Sequence, residues 1–420
     1  MRSVLKALTP NQRNAVIASY LGWTLDAFDF FILVFVLKDV AKEFGTDMTA
    51  VSLAITLTLA ARPIGALLFG LAADRYGRRI TLMIDILLFS ALEFASGLAP
   101  SLFVFLIMRI AFGVAMGGEW GVGAALTMET IPPRARGLVS GILQTGYPSG
   151  YLLASLGYGA LFGPIGWRGM FFVGALPALL VLYIRRNVEE SPAFAAHKAP
   201  RADSGLADLP HIKILRANAG RFLYAVLLMT AFNFLSHGTQ DLYPTFLQVQ
   251  RAFSPHIVSL IAIIYNTGAI IGGLLFGAFS QSGGRRRVIA SASLLVLPIL
   301  PLWAYSSGPL MLAIGAFLMQ FAVQGAWGVV PAHLNELSPA GVRGTFPGFA
   351  YQLGNLLASA NATFQAGIAE ANGGNFAFAL AVVTALAALA LAALAYFGPE
   401  AHGVSFGPDD ASHKRDSQSL

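Results

Sequence analysis

The chain has 420 residues, of which 56% are hydrophobic and only 11% are charged, whereas soluble domains carry about a quarter charged residues. This composition indicates an integral membrane protein. The net charge of +6 comes from cations scattered over short connectors, so nucleic acid is not expected as a partner, and the absence of cysteine excludes disulfides, thiolate metal sites and a cysteine nucleophile.

Twelve segments are apolar over roughly 20 residues, the length that a helix needs to cross about 30 Å of hydrocarbon. The first is too long, and too polar at its start, to be a cleaved signal peptide, so we interpret it as a retained span. The sequence therefore predicts an all-α protein with twelve transmembrane helices. The predicted spans lie near 16–37, 50–73, 80–98, 102–128, 137–161, 167–185, 221–248, 256–280, 288–305, 309–333, 344–368 and 375–397.

The distribution of Lys and Arg predicts the orientation of these spans. With both termini inside the cell, the cytoplasmic segments hold 21 of the 27 cations, which is the bias expected of cytoplasmic loops. We therefore expect both termini in the cytoplasm of a protein that crosses the cell membrane many times, and in a bacterium this would be the cytoplasmic (inner) membrane. The polar tail over 398–420 is expected to be disordered.

The first two spans contain charged residues at the depth of the membrane. Asp26 and Asp29 are three residues apart, so they share one face of span 1, and Arg62 lies within span 2. Each such charge costs roughly 2.5–3.5 kcal/mol on insertion, and it usually faces a cavity or a partner. The two Asp residues are thus predicted either to form an ion pair with Arg62 or Arg109, or to carry a coupling proton. The two predictions overlap, because an ion pair that breaks when the carboxylate is protonated is itself a coupling device.

The connector after span 2, GLAADRYGRR, combines a small residue, an acid and several cations. A glycine lets two helices approach closely, and an acid at the membrane boundary can pair with arginines and a helix terminus, so that it latches one conformation. The alternative interpretation is a turn that only carries positive charge on the cytoplasmic side. The residues of the predicted latch are Gly70, Asp74, Arg75, Gly77, Arg78 and Arg79.

Spans 3 and 4 contain four more charged residues. Arg109 and Glu119 lie in span 4, and Asp85 and Glu93 lie in span 3. A desolvated carboxyl group is suited to carry a proton, because burial disfavours its charged form. For Arg62 and Arg109 a simple role in helix packing stays open.

The sequence NFLSHGTQDLYPT in span 7 places five polar side chains on one helical stripe. They occupy positions i, i+3, i+4, i+7 and i+8 of a helix with 3.6 residues per turn. One alternative is a hydrogen-bonded seam that only packs the helix, although packing does not need a histidine and an aspartate together. The stripe consists of Asn233, Ser236, His237, Gln240 and Asp241.

An internal repeat relates the two ends of the chain. LLFGLAADRYGRR at 67–79 aligns without gaps with LLFGAFSQSGGRR at 274–286, an offset of 274 − 67 = 207 residues, and the same offset aligns Asp26 with Asn233 and Asp29 with Ser236. Such parallel repeats are typical of secondary transporters with a binding site between two halves. The predicted organisation is a six-helix bundle over 1–186, a cytoplasmic linker over 187–217, a second six-helix bundle over 218–397 and the tail over 398–420.

Two of these patterns resemble known families. The connector GLAADRYGRR is similar to the signature loop of the major facilitator superfamily, and the resemblance covers the whole chain. The stripe, read as N-x-x-S-H-x-T-Q-D-x-x-x-T, resembles helix 7 of the fungal lactate and pyruvate permeases, which belong to a sialate–proton symporter group. DAFDFF, ARPIG and GGEWG look like that group and like related metabolite–proton symporters.

The resemblance implies that helices 1, 4, 7 and 10 line a central cavity and that helix 3 is peripheral, so Asp85 and Glu93 are weaker candidates. In the second half the Asp-Arg pair of the loop is replaced by Gln281 and Ser282, and a weaker latch is expected there. The bacterial sialic acid permeases of the group have additional central helices. The connector of this chain, about 31 residues, is too short for two further spans, which favours small monocarboxylates over sialic acid.

We therefore predict proton-coupled uptake of a small monocarboxylate such as lactate, pyruvate or acetate by a monomer. The alternatives are symport of sialic acid or another larger organic acid, and a sensor of the same fold that does not transport. The predicted proton-coupling residues are Asp26, Asp29, Glu119 and Arg109, with His237 as a possible relay. The predicted substrate-binding residues are Asn233, Ser236, His237, Gln240, Asp241, Arg62 and Arg109.

Other functional classes are not favoured. Span 5 reads GILQTGYPSG and lacks the Gly-Pro pair of drug–proton antiporters. No HExxH or GxSxG pattern occurs and the seven histidines are dispersed, so neither an enzyme nor a metal site is expected. The expected partners are a small organic anion, protons and the lipid bilayer, with no cofactor besides the proton.

Overall fold

The computed structural model describes residues 2–196 and 210–406, and over these residues the chain forms helices and no strand. Helices suit these apolar segments because a helix satisfies its backbone hydrogen bonds internally, which a membrane requires. The predicted linker and tail fall partly outside the described residues, at 197–209 and 407–420.

Seven longer helices form the first half of the chain. Side-chain caps mark where several of them begin: Thr9 and Gln12 form a capping box before the first, and Asp47 and Ser101 accept backbone hydrogen bonds before the second and fourth. The helices are α1 (Pro10–Glu43), α2 (Met48–Tyr76), α3 (Arg78–Gly97), α4 (Leu102–Thr130), α5 (Arg136–Gln144), α6 (Gly146–Val173) and α7 (Ala178–Asn187).

Eight longer helices form the second half. They are α8 (Ala219–Gln240), α9 (Pro255–Gly283), α10 (Arg285–Leu300), α11 (Pro309–Trp327), α12 (Val330–Leu337), α13 (Phe346–Ala358), α14 (Asn361–Ala371) and α15 (Phe376–Phe397). Short helical segments connect or extend these elements, at Arg2–Lys6, Pro133–Ala135, Pro192–Ala196, Pro210–Ala217, Tyr243–Thr245, Phe246–Gln250 and Pro301–Tyr305.

Nine of the described helices are long and apolar enough to cross a membrane, or ten if the bent pair formed by Pro133–Val173 and Ala178–Asn187 counts as one span. Two interruptions account for the difference from the twelve predicted spans. Gly166, with φ of 64°, breaks α6 between predicted spans 5 and 6. Predicted span 11 is divided between α13 and α14.

The exterior of the bundle is apolar. Leu156 and Phe103 are each 72% exposed, whereas Asp26, Asp29 and Glu119 are fully buried. This inverts the distribution of a soluble protein, and it fits a bundle whose outer surface contacts lipid.

The two halves are joined at the end of the bundle where α1 begins and where residues 401–406 lie, which we call the terminal face. The Asp74 carboxylate accepts hydrogen bonds from the backbone N–H of Gly344 (2.7 Å) and from the N–H and hydroxyl of Thr345 (2.9 and 2.7 Å). At the repeat-related position, Gln281 Oε1 accepts one from the N–H of Gly137 (3.0 Å). Asp74 of the first half therefore accepts three hydrogen bonds from the second half through a carboxylate, while Gln281 of the second half accepts one from the first half through a neutral amide.

Glycines let the halves approach each other at this face. A Cβ added to Gly141 would lie 2.5 Å from the carbonyl oxygen of Gly273, and one added to Gly277 would lie 2.7 Å from the Cα of Gly141. Because these neighbours are backbone atoms, no side chain can rotate away. The close contact of α5 with α9 therefore depends on glycine.

Residues 401–406, which we call the C-terminal strap, cross from the second half to the first on the terminal face. Phe406 is 4% exposed, and its ring centroid lies 3.6 Å from the guanidinium carbon of Arg136 and 4.2 Å from that of Arg343. Arg136 also donates to the carbonyl oxygen of Val404 (2.6 Å). The two arginines are 207 residues apart, so the strap binds the same position of both repeats.

Candidate functional site

A cavity of about 480 Å³ lies between the two halves. On α1 its lining runs from Trp23 to Val34, away from the terminal face, and the Asp241 side chain in its wall is 39% exposed. The cavity thus opens at the end opposite the terminal face, which we call the open face. Its polar lining consists of Arg62, Gln144, Asn233, Ser236, His237, Gln240, Asp241, Asn266, Gln320, Gln324 and Asn355.

The structure places the whole predicted stripe of span 7 in this wall. Gln240 Nε2 donates to Ser236 Oγ and to Gln320 Oε1, both at 3.1 Å, and Gln324 Nε2 donates to Ser236 Oγ at 3.3 Å. Asn233 instead donates to the carbonyl of Met229 at 2.8 Å, within its own helix. The stripe is therefore a hydrogen-bonded seam with α11 and a cavity wall at the same time.

His237 is held between two oxygen atoms. Its Nδ1 lies 3.2 Å from Asp241 Oδ1, and its Nε2 lies 3.0 Å from Asn355 Oδ1. An imidazolium, which donates from both nitrogens, satisfies this arrangement fully. The ring is one third exposed to the cavity, so it is accessible to a ligand.

Arg62 is a cation in the cavity wall with unused donors. Arg62 is only 3% exposed, and its Nε and Nη2 have no hydrogen-bond partner. The guanidinium faces the hydroxyl of Tyr351, and its charge also acts on Asp26 and Glu119. Arg62 thus connects the cavity with the buried carboxyls of the first half.

Aromatic rings form most of the remaining wall. Trp23 stacks on Tyr147 with centroids 5.6 Å apart, and Trp327 meets Tyr351 edge-on at 5.5 Å. The two pairs belong to different halves, so rings from both sides face the cavity. The aromatic residues of the lining are Trp23, Phe30, Phe31, Tyr147, Tyr151, Tyr265, Trp327 and Tyr351.

The expectation that helices 1, 4, 7 and 10 line the cavity needs correction for helix 4. No residue of α4 lies in the cavity wall; α2, α6, α9 and α13 contribute residues instead. Added Cβ atoms at Gly113 and Gly117 of α4 would lie 2.2 Å and 2.0 Å from the carbonyl oxygens of Thr58 and Arg62. Here α4 packs tightly behind α2, and its Trp120 contacts the wall residues Tyr351 (centroids 4.8 Å apart) and Gln144 (3.4 Å) without lining the cavity itself.

The predicted proton-coupling carboxyls are therefore buried in the first half instead of in the cavity wall. Both carboxylate oxygens of Asp26, Asp29 and Glu119 are without a hydrogen-bond partner. Glu119 packs directly against the backbone of α1, since a Cβ at Gly22 would lie 2.3 Å from its Oε1. Unpartnered buried carboxyls are suited to hold protons, because ionising them here would leave a charge without compensation.

Arg109 also differs from its two predicted roles as a substrate ligand and as a direct partner of the aspartates. Its Nη2 lies 2.5 Å from Glu93 Oε2 and donates to Ser96 Oγ at 3.0 Å, and it is absent from the cavity wall. The reason is again the position of α4, which turns Arg109 toward α3. Glu93, which the sequence ranked low, is its actual partner.

The predicted latch residues divide into two groups. Arg78 bridges Asp74 (3.1 Å) and Glu129 (3.0 Å), and Asp74 reaches the second half as described above. A Cβ added to Gly70 would lie 2.6 Å from the Cα of Thr345, so Gly70 also packs closely against the second half. The remaining three are not assigned to this contact between the halves. Gly77 has a φ of 109° before α3, Arg79 donates to the carbonyl oxygen of Arg185 within the first half, and Arg75 is exposed.

Sequence reasoning missed Gln320, Gln324 and Asn355, as well as the aromatic wall. Gln320 and Gln324 are four residues apart in an otherwise apolar helix, so they share one face, and this spacing could have revealed them. Asn355 had a similar signal, because Gln352 lies three residues before it in the same span. Among the described residues, no group of three or more His, Asp or Glu could hold a metal ion.

Comparison with known proteins identifies two matching family models. Residues 19–251 match the Major Facilitator Superfamily, and residues 221–402 match the family described as Sugar (and other) transporter. A solved structure of the proton:xylose symporter XylE superposes with a TM-score of 0.76 at 18% identity, covering 94% of this chain and 97% of that one.

Similar curated proteins are transporters of organic acids and related compounds. The carboxylic acid transporter protein homolog of Saccharomyces cerevisiae is 29% identical over 87% of this chain, which spans 63% of that protein. The probable 4-methylmuconolactone transporter of Cupriavidus pinatubonensis is 31% identical over 83% of this chain and 82% of its own length. The sialic acid transporter NanX of Escherichia coli is 28% identical over 83% and 85%.

Proposed function

Because the chain belongs to the major facilitator superfamily, we propose that it imports a small monocarboxylate such as lactate, pyruvate or acetate together with a proton. It is a multi-pass membrane protein, and we take it to act as a monomer by alternating access of the central cavity. The names of its relatives, which include a carboxylic acid transporter homolog, support an organic acid as the substrate.

The proposed topology has twelve spans with both termini in the cytoplasm. It counts α6 as parts of two spans separated at Gly166, and α13 with α14 as one. The excess of Lys and Arg in the segments at the terminal face supports this orientation. The cavity then opens to the outside, and the joined terminal face closes it toward the cytoplasm.

The observation that carries the proposal is the pair of unused donors on Arg62 in the cavity wall. A buried donor without a partner costs about 1–3 kcal/mol, and a guanidinium binds a carboxylate through two parallel hydrogen bonds. A substrate carboxylate at Arg62 would satisfy both donors. His237 and Asn355 lie in the cavity wall on the opposite half, and in this proposal they bind the other end of the substrate.

Arg62 also provides a route to proton coupling. Its charge acts on Asp26 and Glu119 and can compensate only one of them in its ionised form, so the other must hold a proton. A substrate carboxylate that pairs with Arg62 replaces the ionised carboxylate, which then takes up one proton. An anion entering a cell with a negative interior opposes about 2.3 kcal/mol per 100 mV, which one accompanying proton cancels.

The cavity itself favours a second candidate substrate, a larger organic acid. A volume of about 480 Å³ with aromatic rings on both sides has room for a ring or a long chain, and rings contact such groups well. The relatives described as sialic acid and 4-methylmuconolactone transporters support this candidate.

Vesicles without a membrane potential, containing the purified protein, would test the proposal. We expect internal acidification when lactate, pyruvate or acetate is added outside, and none with Arg62→Gln. The exposed Arg186→Gln is the matched control. Acidification only with sialic acid or a muconolactone would favour the second candidate. Binding without acidification would indicate a sensor and contradict proton symport.

A further inference from the structure

The internal repeat shows that the fold does not need the buried charges of the first half. At every position related by the offset of 207 residues, the second half has a neutral residue. The seven pairs are Asp26 with Asn233, Asp29 with Ser236, Arg62 with Ala269, Asp85 with Ala292, Glu93 with Leu300, Arg109 with Ala316, and Glu119 with Ala326. Since each buried charge is costly, a purpose other than folding must retain them.

The set includes two carboxyls that the proposed function does not use, Asp85 and Glu93. Both are fully buried, both oxygens of Asp85 are without a partner, and so is Oε1 of Glu93. Five buried carboxyls thus share two guanidinium groups. Because an uncompensated buried charge is strongly disfavoured, most of these carboxyls must hold protons in this conformation.

Glu93 and Asp29 both lie near the guanidinium of Arg109. Glu93 holds Arg109 directly at 2.5 Å, and the charges of both Glu93 and Arg109 act on Asp29. A Cβ added to Gly174 would lie 2.6 Å from Glu93 Cγ and 2.8 Å from Asp29 Oδ1. The two carboxyl side chains therefore pack against the same point of the backbone.

The guanidinium of Arg109 packs among aromatic rings. Its guanidinium carbon lies 4.1 Å from the Phe112 ring centroid and 5.3 Å from that of Phe171. The attraction between the guanidinium and an ionised carboxylate is stronger in such an environment than it would be in water. Glu93 lies four residues before the end of α3 at the open face, about 6 Å by helical rise.

We propose that Glu93 is a proton-exchange residue that competes with Asp29 for Arg109. In the state described here, ionised Glu93 pairs with Arg109 and Asp29 holds the proton. When Arg109 shifts to Asp29, Asp29 releases its proton and Glu93 takes one up, so the charge of the group is unchanged. This proposal rests on the proposed proton symport and adds a step near the open face, apart from the substrate cavity.

The other charged groups around the pair belong to neighbouring helices. Asp26 is on α1 beside Asp29, Asp85 is on α3, Glu119 is on α4 and Arg62 is on α2, whereas the side of α6 contributes Phe171 and the backbone of Gly174. Arg109 is the cation in direct contact with Glu93. Asp29 packs with Glu93 against the backbone of Gly174, so these two carboxyls are the pair that we assign to the exchange.

An infrared measurement on the reconstituted full chain tests the proposal without any substrate. The C=O band of protonated Asp29 is assigned by its loss in Asp29→Asn. We expect Glu93→Gln to remove the same band, because Arg109 is then free to pair with Asp29 and ionise it. Persistence of the Asp29 band in Glu93→Gln would overturn the proposal.

A transport measurement with radiolabelled lactate gives the second readout. With an inward gradient of one pH unit, one coupled proton supports about tenfold accumulation. We expect Glu93→Gln to reach only the external concentration while lactate exchange across the membrane is retained, and Glu93→Asp to recover accumulation. The exposed Glu370→Gln is the control.

The outcomes separate this inference from the proposed function. Loss of exchange together with accumulation in Glu93→Gln would make Glu93 a structural residue and would refute the exchange step, as would unchanged accumulation. A wild-type protein that does not accumulate lactate would count against lactate as the substrate, and the infrared result would still decide the role of Glu93.

Discussion

Arg62 is the residue at which the two proposed tasks of the protein meet. It lines the cavity with unused donors, and its charge acts on buried carboxyls behind the cavity wall. A residue in this position transmits the arrival of a substrate charge to the proton-binding groups without any long-range movement. The stripe of α8 has the complementary task of hydrogen bonding.

Replacing Arg62 with lysine tests the importance of the guanidinium geometry. Lysine retains the charge but lacks the planar fork, so we expect carboxylate binding to weaken by about 1.5–3 kcal/mol. Calorimetric titration with the acid that acidifies the vesicles measures this loss. Arg186→Lys, at an exposed position, should leave binding unchanged. Equal affinity for Arg62→Lys and the wild type would argue against a bidentate contact.

Replacing His237 distinguishes hydrogen bonding from proton transport. Glutamine can donate to Asp241 or Asn355 but cannot titrate, so we expect His237→Gln to keep proton-driven accumulation, with His237→Ala losing substrate affinity. Uptake by vesicles with an imposed pH gradient measures both. Loss of accumulation with retained exchange in His237→Gln would instead assign proton transfer to the ring.

At the level of the helices, glycine contacts decide which residues reach the cavity. The glycines of α4 bring it so close to α2 that its charged residues turn away from the cavity and toward α3 and α1. A second set, on α5 and α9, brings the two halves together at the terminal face. Close helix packing through small residues is common in membranes, and here it sets both the site and the gate.

A Gly141→Ala substitution should therefore open the terminal face. The added methyl group would lie 2.5 Å from the Gly273 carbonyl oxygen, and overpacking of this kind costs about 1–3 kcal/mol. The reporter is Ala332→Cys, buried in this interface, in a chain without other cysteines. We expect roughly tenfold faster maleimide labelling, since 1.4 kcal/mol is a factor of ten.

Gly159→Ala provides the control, because a Cβ at Gly159 meets nothing within 4 Å. The interpretation would fail if both alanine substitutions changed the labelling rate equally.

Over the whole molecule, the two halves use the same fold for different tasks. Ion pairs at the terminal face repeat in both, as in Arg78 with Glu129 and Arg285 with Glu336, whereas the seven buried charges around Arg62 and Arg109 have neutral counterparts in the second half. Asp74 in the first half makes the charged contact between halves, and its counterpart Gln281 makes a neutral one. The C-terminal strap then binds both repeats together.

Phe406→Ala should weaken the strap and favour the conformation open at the terminal face. Each contact between a guanidinium and an aromatic ring contributes about 0.5–2 kcal/mol, and Phe406 has two such contacts. The Ala332→Cys reporter should again be labelled faster. Phe397→Ala, at an 83% exposed position, is the control. An unchanged labelling rate in Phe406→Ala would show that the strap does not stabilise the closed face.

Much of this organisation could be predicted from the sequence alone. The membrane class, the superfamily and the helical fold follow from composition and a specific loop, and all three are confirmed. The polar stripe of α8 was also predictable, because residues of one helix keep their angular spacing in any surroundings. The repeat-related pairs at the terminal face follow from the same offset.

The sequence could not decide which way a charged helix face turns. It placed Arg109 and Glu119 near the cavity and ranked Glu93 low, whereas the structure pairs Arg109 with Glu93 behind α2. Periodicity determines which residues of a helix share a face. The neighbour of that face depends on contacts between residues distant in sequence, such as Gly117 against the carbonyl of Arg62, and only the tertiary structure contains them.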